Sequence, residues 1–375
     1  MKYCKKCIMP DTKPHLVFDE YRVCSACQSS NRKKEILGGI DWGAREKEFE
    51  KLVLEAKAKN AHFYDVLVPV SGGKDSITQV HRLLKYGLRI LAVNVDYGIK
   101  TEIGIQNLNC IPKMGVNLII FRPDQELNIK LTRLGLEEYG DPDLMSHCLL
   151  HAFPLRVALQ FGVPLVVLGE NSAFEYGGDS VIANENYMTR KWFTKFAANN
   201  GNDPRVISEK YDIPYEKLKP YDFPDEIEHH PITLSAFMSY YFFWDSEEHL
   251  KIAEQYGFKS LEEAGEGTYR TYVGIDEKIN RVHQYMKVLK FGYGRCTDHA
   301  CEDIRNGYLT REKAKELIKK YDLEELSDKF SNDVASYLGY TKEEFMEIIE
   351  SYRNKEIWKK DNNGRWFIPG HLYDN

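Results

Sequence analysis

The sequence lacks long apolar runs and lacks an excess of positive charge. No window approaches the roughly 18 uninterrupted apolar residues of a membrane span, and no apolar segment follows the first lysines. We therefore expect a cytoplasmic protein without a membrane partner. Fifty-one Lys and Arg residues stand against 57 Asp and Glu, a net charge of −6. This balance argues against a nucleic-acid partner, which would require a basic surface.

Cysteine is sparse along most of the chain but concentrated at its start. Eight cysteines occur in 375 residues, and the first four form two C-x2-C pairs: Cys4, Cys7, Cys24 and Cys27. The spacing allows four thiolates to close on one zinc ion, and a redox-active pair is the alternative. Two pairs at ribbon spacing favour zinc, so we predict a zinc-ribbon module over residues 1–31. Four thiolates leave no place for water, which makes the zinc structural.

The next part of the chain alternates short β-branched runs with helical patterns. The runs lie at 65–70, 89–95, 116–122 and 164–169, and the helical patterns between them at 77–84, 105–113 and 149–161. Apolar strands separated by helices indicate a parallel sheet covered on both faces. The sequence therefore predicts an α/β fold.

The predicted α/β domain covers residues 42–210 and begins with a linking helix at 42–59. A mostly helical substrate or partner region follows over 211–375. Two capping-box spacings predict helix starts there: Ser260 with Glu263, and Thr341 with Glu344. The connection over 170–204 is longer than an ordinary loop, which indicates a functional segment.

The six residues SGGKDS, Ser71–Ser76, follow the first predicted strand and open the first predicted helix. Amides of a glycine turn and of a helix start converge on an anion, and a phosphate fits there. Gly72 and Gly73 permit close approach, and Lys74 adds charge. The segment is not a Walker A motif, because no glycine stands five positions before Gly73.

This segment resembles the PP-loop of the ATP pyrophosphatase superfamily, whose SGGxDS pattern it matches at every specified position. The resemblance implies ATP cleavage to AMP and pyrophosphate in a Rossmann-like domain. It also implies that Ser71, Gly72, Gly73 and Ser76 bind the pyrophosphate, while Asp75 organises the helix start and Mg²⁺. Asp96 ends the second strand, where it either meets the nucleotide or caps a helix.

Several separated motifs resemble the N-acetyl sugar amidotransferase family of bacterial surface polysaccharide (lipopolysaccharide, O-antigen) and nonulosonic acid (pseudaminic acid) biosynthesis. They are MKYCKKCIMPDT at the start, GDPD at 140–143, LGENSAFEYGG at 168–178 and YMKVLKFGYGRCTDHA at 285–300. The resemblance implies conversion of an acetamido group of a sugar into an acetamidino group. The amide oxygen would attack the α-phosphorus of ATP, and ammonia would then displace AMP from the imidate carbon.

The same motifs supply candidate residues for the sugar and ammonia. They are Glu170 and Asn171 after the fourth strand, and Arg295, Asp298 and His299 in the last motif. Glu170 could instead be a capped loop carboxylate, and Arg295 with Asp298 a surface ion pair. Cys296 and Cys301 are interpreted as buried or incidental thiols. His147 and His151 lack the glutamate of a zincin motif and are interpreted as core or surface residues rather than a metal site.

The nitrogen source is expected to be a separate glutaminase subunit, with a cyclase-like ammonia conduit as a further component. The chain has no GxCxG nucleophile elbow, and Cys4 is assigned to zinc. Two other functions stay open. One is a PP-loop tRNA sulfurtransferase, whose spare thiols would be Cys110 and Cys148. The other is a zinc-ribbon nucleic-acid-binding protein without catalysis.

Overall fold

The computed structural model describes residues 1–34, 39–59, 63–171, 185–198, 201–229 and 233–372. A five-stranded parallel sheet lies at its centre, in the order β3-β2-β1-β4-β5. Its strands are β1 (Val66–Pro69), β2 (Ile90–Val95), β3 (Asn117–Phe121), β4 (Leu165–Leu168) and β5 (Leu234–Phe237). The predicted α/β fold and its parallel sheet are confirmed.

The strand order reverses at β1, because β2 and β3 lie on one side of it and β4 and β5 on the other. Ligands of open α/β sheets bind in the crevice beyond the carboxyl ends of the strands at such a reversal. The glycine loop follows β1, so the fold places it at this crevice.

Helices cover both faces of the sheet and bury two apolar cores. Helices of the first half are α1 (Ser25–Lys34), α2 (Trp42–Ala58), α3 (Lys74–Lys85), α4 (Glu102–Leu108), α5 (Cys110–Lys113), α6 (Gln125–Tyr139) and α7 (Leu144–Phe161). Leu67 and Leu91 of the strands pack towards Leu149 of α7, while Val66 and Ile90 pack towards Phe49 of α2. Alternating strand residues thus serve both faces, as the apolar runs indicated.

The chain between β4 and β5 returns to the sheet through short helices. They are α8 (Arg190–Trp192), continued by a π-helical turn (Phe193–Ala197), α9 (Pro204–Tyr211), α10 (Tyr215–Leu218), continued by a 3-10 turn (Lys219–Tyr221), and α11 (Glu226–His229). Strand β5 then pairs with β4 in parallel register, with Leu165 opposite Leu234. The sequence did not predict β5, and the sheet therefore continues past the expected boundary at residue 210.

The rest of the chain is mostly helical, as predicted. Its elements are α12 (Met238–Tyr241), α13 (Ser246–Glu254), α14 (Ile279–Phe291), α15 (Arg295–Asn306), α16 (Arg311–Tyr321), α17 (Asp328–Leu338), α18 (Lys342–Ser351) and the short hairpin β6 (Lys359–Lys360) with β7 (Trp366–Phe367). The capping box of Thr341 and Glu344 starts α18, which confirms that prediction. The helix predicted at Ser260 is wrong, because the chain from 255 to 278 is irregular there.

The N-terminal module packs against the C-terminal helices. Its four cysteines and Ile8 share one apolar core with Tyr293, Cys301 and Ile318 of the C-terminal region. Arg311 donates to the Cys4 carbonyl at 2.7 Å, and Thr12 donates to the Phe291 carbonyl at 2.7 Å. The ribbon therefore has no core separate from that of the C-terminal helices. In the described part of the chain, no helix has the length and apolar character needed to cross a membrane.

Candidate active site

The glycine loop depends on the absence of a side chain at Gly72. This residue has a positive φ of 89°, and a Cβ atom there would lie 2.5 Å from the backbone nitrogen of Leu108 in α4. The left-handed conformation and the close approach both require glycine. The loop therefore turns tightly against α4, and its backbone amides lie at the start of α3.

The start of α3 presents amides that no side chain caps. Gly73 is the N-cap residue and has no side chain to accept from the first turn. The loop hydroxyls bind the loop itself: Ser71 Oγ accepts from the Gly73 amide at 3.1 Å, and Ser76 Oγ donates to the Gly73 carbonyl at 2.9 Å. A helix start with open amides and a positive dipole end is suited to an anion such as phosphate.

Asp75 organises the charged groups of the loop. Its carboxylate accepts from Lys74 Nζ at 2.7 Å and from His249 Nδ1 at 2.7 Å. Burial disfavours the charged form, but Lys74 and His249 outweigh burial and hold the pKa of Asp75 below its ordinary value. His249 is itself fixed by an edge contact with Trp244 at 4.5 Å between ring centroids. No sequence motif indicated His249, which lies 174 residues from Asp75.

Three cavities adjoin at the carboxyl edge of the sheet, and Tyr97 lines all of them. The loop cavity, about 190 Å³, is lined by Ser71–Asp75 and by Asp276, Asn280 and Arg295. The edge cavity, about 410 Å³, lies beyond β2 and β3 and includes Asp96 and Arg122. The central cavity, about 460 Å³, includes Asp75, His147, His151, Glu170 and Asp276. Asp75 and Asp276 thus face both the loop cavity and the central cavity.

Asp96 lies in the edge cavity and does not cap a helix. Its carboxylate accepts from Arg122 at 2.5 Å, and α4 is capped by Thr101 instead. Asn94, Lys100 and Tyr97 connect this cavity with the central one. The helix-cap alternative for Asp96 is therefore wrong, and its place beside the nucleotide stays a prediction.

Glu170 and two histidines bring polar groups into the central cavity. Glu170 follows β4, while His147 and His151 project from α7. Burial lowers the pKa of both histidines to about 4, which keeps them neutral near pH 7. They line the cavity rather than the core or the outer surface. Of the sequence segment 168–178, residues 172–178 lie outside the described residues.

Of the remaining predicted site residues, one supports a cavity wall, one lines a cavity and one forms ion pairs away from the cavities. Asn171 is buried and accepts from Trp192 Nε1 at 3.1 Å, a position that supports the cavity wall. Arg295 lines the loop cavity and donates to Asn280 at 2.5 Å. Asp298 pairs with Lys287 and with Lys13 of the ribbon, so it does not form the surface ion pair with Arg295 that we considered.

His299 is buried and shares a hydrogen bond of 2.7 Å with the Thr268 hydroxyl. Burial lowers its pKa well below the ordinary histidine value. Neither His299 nor Asp298 lines any of the three cavities. Among the residues of the last motif, Arg295 is therefore the one that reaches the described cavities.

Sequence reasoning missed Asp276 and Glu277. Their segment crosses the loop and central cavities, and the Thr101 amide donates to the Asp276 carbonyl at 3.2 Å. Glu277 accepts from the backbone amides of Ile99, Ile279 and Asn280 at 2.8 to 2.9 Å. Burial raises its pKa to about 8. Two adjacent acids in an irregular segment carry no motif, so nothing in the sequence alone marked them.

The four N-terminal cysteines form a cluster that could bind zinc. All four sulfur atoms lie within 4.8 Å of one another, with 3.7 Å between Cys7 and Cys24 and 4.0 Å between Cys4 and Cys27. Tetrahedral zinc with bonds of about 2.3 Å places its sulfurs about 3.8 Å apart. The geometry therefore fits a closed tetrahedral site. All eight cysteines lie among the described residues, and every one is a buried free thiol, including Cys296 and Cys301 as predicted.

Residues 266–369 match a family model described as LPS biosynthesis protein WbpG-like, C-terminal domain. The match begins just before the segment that carries Asp276 and includes α14 to α18. It agrees with the resemblance to a surface-polysaccharide family indicated by the separated motifs. No curated protein matches the chain.

Solved structures similar to the chain include two synthetases. One is NMN synthetase from Francisella tularensis, with 11% identity, a TM-score of 0.36, and coverage of 80% of this chain and 94% of that chain. The other is the NH3-dependent NAD synthetase from Campylobacter jejuni subsp. jejuni NCTC 11168, in complex with nitrate. It has 16% identity, a TM-score of 0.28, and coverage of 51% and 92%.

Proposed function

We propose that this protein is an ATP-dependent amidotransferase that converts the acetamido group of an N-acetylated sugar into an acetamidino group. The observation that carries the proposal is the arrangement of the loop, edge and central cavities around Tyr97, with the glycine loop lining the loop and central cavities. The match of residues 266–369 to a lipopolysaccharide-biosynthesis domain supports a sugar as the acceptor.

The three cavities suit the three parts of the reaction. The loop cavity, with the α3 amides, Lys74 and Arg295, suits the pyrophosphate of ATP. The edge cavity suits the nucleoside, and Asp96 lies in its wall. The α-phosphorus would then lie near Tyr97, where the amide oxygen of a sugar in the central cavity attacks it. Asp75 would hold Mg²⁺ against the phosphates, since hard carboxylate oxygens suit that ion.

Activation by adenylation explains why ATP is required. An amide oxygen is a poor leaving group, and transfer of AMP to it makes a good one. Pyrophosphate leaves first, and ammonia then attacks the imidate carbon and displaces AMP. The half-buried, neutral His147 and His151 and the carboxylate of Glu170 supply hydrogen-bonding groups for the sugar in the central cavity.

The direct test is mass spectrometry of N-acetylated nucleotide sugars and sialic-acid-like sugars incubated with the protein, ATP, Mg²⁺ and ammonium. We expect a product about one mass unit lighter than the sugar, since O is replaced by NH, together with AMP and pyrophosphate. Glu170→Gln should raise the KM for the sugar more than the KM for ATP, because Glu170 lines the central cavity and not the edge cavity. Detection of ADP as the nucleotide product would overturn the proposal.

We expect the nitrogen to come from a separate glutaminase. Free ammonium at millimolar concentration should support amidine formation by this protein alone, whereas glutamine should do so only with an added glutaminase. Ammonium-driven rates should rise with pH, because only the unprotonated form is nucleophilic. Rates with glutamine in the complex should depend on pH much less, since shielded ammonia need not be deprotonated. Use of glutamine by the purified protein alone would refute the need for a partner.

The alternative of tRNA thiolation is less well supported. Persulfide chemistry requires an accessible thiol of low pKa. Cys110 and Cys148 are both buried, and burial raises the pKa of each thiol. A tRNA gel shift at physiological salt tests this alternative directly, and tight binding would favour it.

A further inference from the structure

Asp143 is the N-cap residue of α7, but its side chain does not cap that helix. An aspartate there ordinarily accepts from first-turn amides, whereas Asp143 makes no side-chain capping bond. The residue is fully buried, and neither carboxylate oxygen has a hydrogen-bond partner in the described part of the chain. A buried carboxylate in this state is strongly disfavoured unless a cation or a proton neutralises it.

The surroundings of Asp143 are rich in acids. His283 Nδ1 lies 3.9 Å from Asp143 Oδ2 but is engaged by Asp141 at 2.8 Å. The titratable and charged groups that interact electrostatically with Asp143 are Tyr97, Asp141, Asp276, Glu277, His283 and Arg295. Glu277, with its pKa raised to about 8, is mostly protonated near pH 7, so three carboxylates including Asp143 stand against one arginine and one histidine. The local charge stays negative and attracts a small cation.

This site adjoins the proposed reaction centre. Tyr97 and Asp276 line both the central and the loop cavity. The amide of His147, one turn along α7, donates to the Asp143 carbonyl at 2.8 Å, and the side chain of His147 lines the central cavity. Asp143 itself lines none of the three cavities, so ammonia that forms there must pass Tyr97, His147 or Asp276 to reach the acceptor sugar in the central cavity.

The donor set favours ammonium over a divalent metal. A divalent metal needs several donor atoms close together. Among the described residues, only the N-terminal cysteine cluster brings three or more His, Cys, Asp or Glu donor atoms together, and Asp143 is not part of it. Ammonium needs no such shell, because it donates hydrogen bonds of about 2.7–2.9 Å to single oxygens. It is also about the size of a water molecule.

We propose that the Asp143 carboxylate binds ammonium and takes its proton, an inference that rests on the proposed function. Proton transfer leaves neutral ammonia, whose lone pair forms the C–N bond at the imidate carbon. The C–O bond to AMP then breaks, and its electron pair leaves with the phosphate of AMP. The excess proton on nitrogen remains on the product, which is released as an amidinium cation. Asp143 afterwards loses its proton to water.

The test compares Asp143→Asn with wild type and with Glu138→Gln, which removes an exposed carboxylate five residues earlier. We expect Asp143→Asn to raise the KM for ammonium by about tenfold or more, because one charge-assisted hydrogen bond is lost. The KM for ATP and the rate of pyrophosphate release should change less than about twofold. Glu138→Gln should behave as wild type.

A binding measurement that needs no turnover accompanies the kinetics. At pH 8, ammonium chloride should raise the melting temperature of wild type and Glu138→Gln by about 2 °C over equal sodium or potassium chloride. Asp143→Asn should show no such rise. Burial raises the pKa of Asp143 to about 6, so the carboxylate is protonated below that pH, and the ammonium effect should disappear at pH 5.

The outcomes separate the inference from the proposed function. If wild type forms amidine but Asp143→Asn keeps its KM for ammonium, the inference is overturned and the function stands. If no sugar yields amidine, the function fails, and the melting temperatures still decide whether Asp143 binds ammonium. Equal effects of ammonium, sodium and potassium on wild type would overturn the inference.

Discussion

Replacing Asp75 with asparagine should lower the rate of ATP cleavage to AMP and pyrophosphate by about 10³-fold or more. The carboxylate holds both Lys74 and His249 at 2.7 Å, and a neutral amide cannot balance the charge of the buried lysine. The pKa of Asp75 lies below its ordinary value, so the wild-type group is ionised throughout pH 6 to 9. The defect should therefore be the same across that range in an assay of pyrophosphate release with sugar present.

Asp65→Asn is the matched control for this variant. Asp65 is also buried and also forms an ion pair, with Arg89 at 2.7 Å. It lies just before the start of β1, however, whereas the glycine loop follows the end of that strand. Its loss should lower stability while leaving the activity of the folded protein intact. His249→Gln should cause a smaller loss than Asp75→Asn, because Lys74 remains paired. Wild-type pyrophosphate release by Asp75→Asn would contradict the assignment of the loop.

Removal of two zinc ligands by Cys24→Ser with Cys27→Ser should abolish zinc binding and destabilise both ends of the chain. The free energy of binding a structural zinc contributes to the stability of the fold. We therefore expect the free energy of unfolding of the ribbon to fall by about 5 kcal/mol or more. The ribbon shares its core with Tyr293, Cys301 and Ile318, and the loss should therefore extend to α15 and α16. Zinc content by atomic absorption and amide hydrogen exchange over residues 293–321 measure the two effects.

Cys110→Ser is the control for the cysteine substitutions. Cys110 is a buried thiol in α5, outside the cluster, and donates weakly to the Gln106 carbonyl at 3.8 Å. It should keep one zinc per chain and normal exchange in α15. If wild-type protein contained no zinc and all four N-terminal thiols reacted freely in the folded state, the zinc assignment would be wrong.

The features that the sequence predicted are those encoded within a short stretch of chain. The strand, glycine loop and helix around Ser71–Ser76 follow from apolar runs, two glycines and a helix start within some twenty residues. The paired cysteines and the capping box at Thr341 are local in the same sense. Such patterns carry their own physical reason, because backbone geometry and metal-ligand spacing act between near neighbours.

The features that escaped prediction depend on contacts between distant residues. Strand β5, with the sequence LSAF, lacks the β-branched residues that marked the other strands, and pairing with β4 stabilises it. Ser260 and Glu263 have the spacing of a capping box, yet no helix follows, since local spacing alone does not supply the packing that sustains a helix. His249 and Asp276 reach the site only because the chain after β5 returns across the sheet edge, which no local pattern indicates.

The packing of the ribbon on α15 also bears on the order of synthesis. The ribbon is synthesised before Tyr293, Ile318 and Leu372 of its core, and the Leu372 amide donates to the Tyr3 hydroxyl at 3.2 Å. Contacts over such a span form slowly, because a long loop must first close. The core of the ribbon is therefore completed only after the α/β domain between its two parts has been synthesised. Since α15 begins with Arg295, the loop cavity gains its arginine late in the same process.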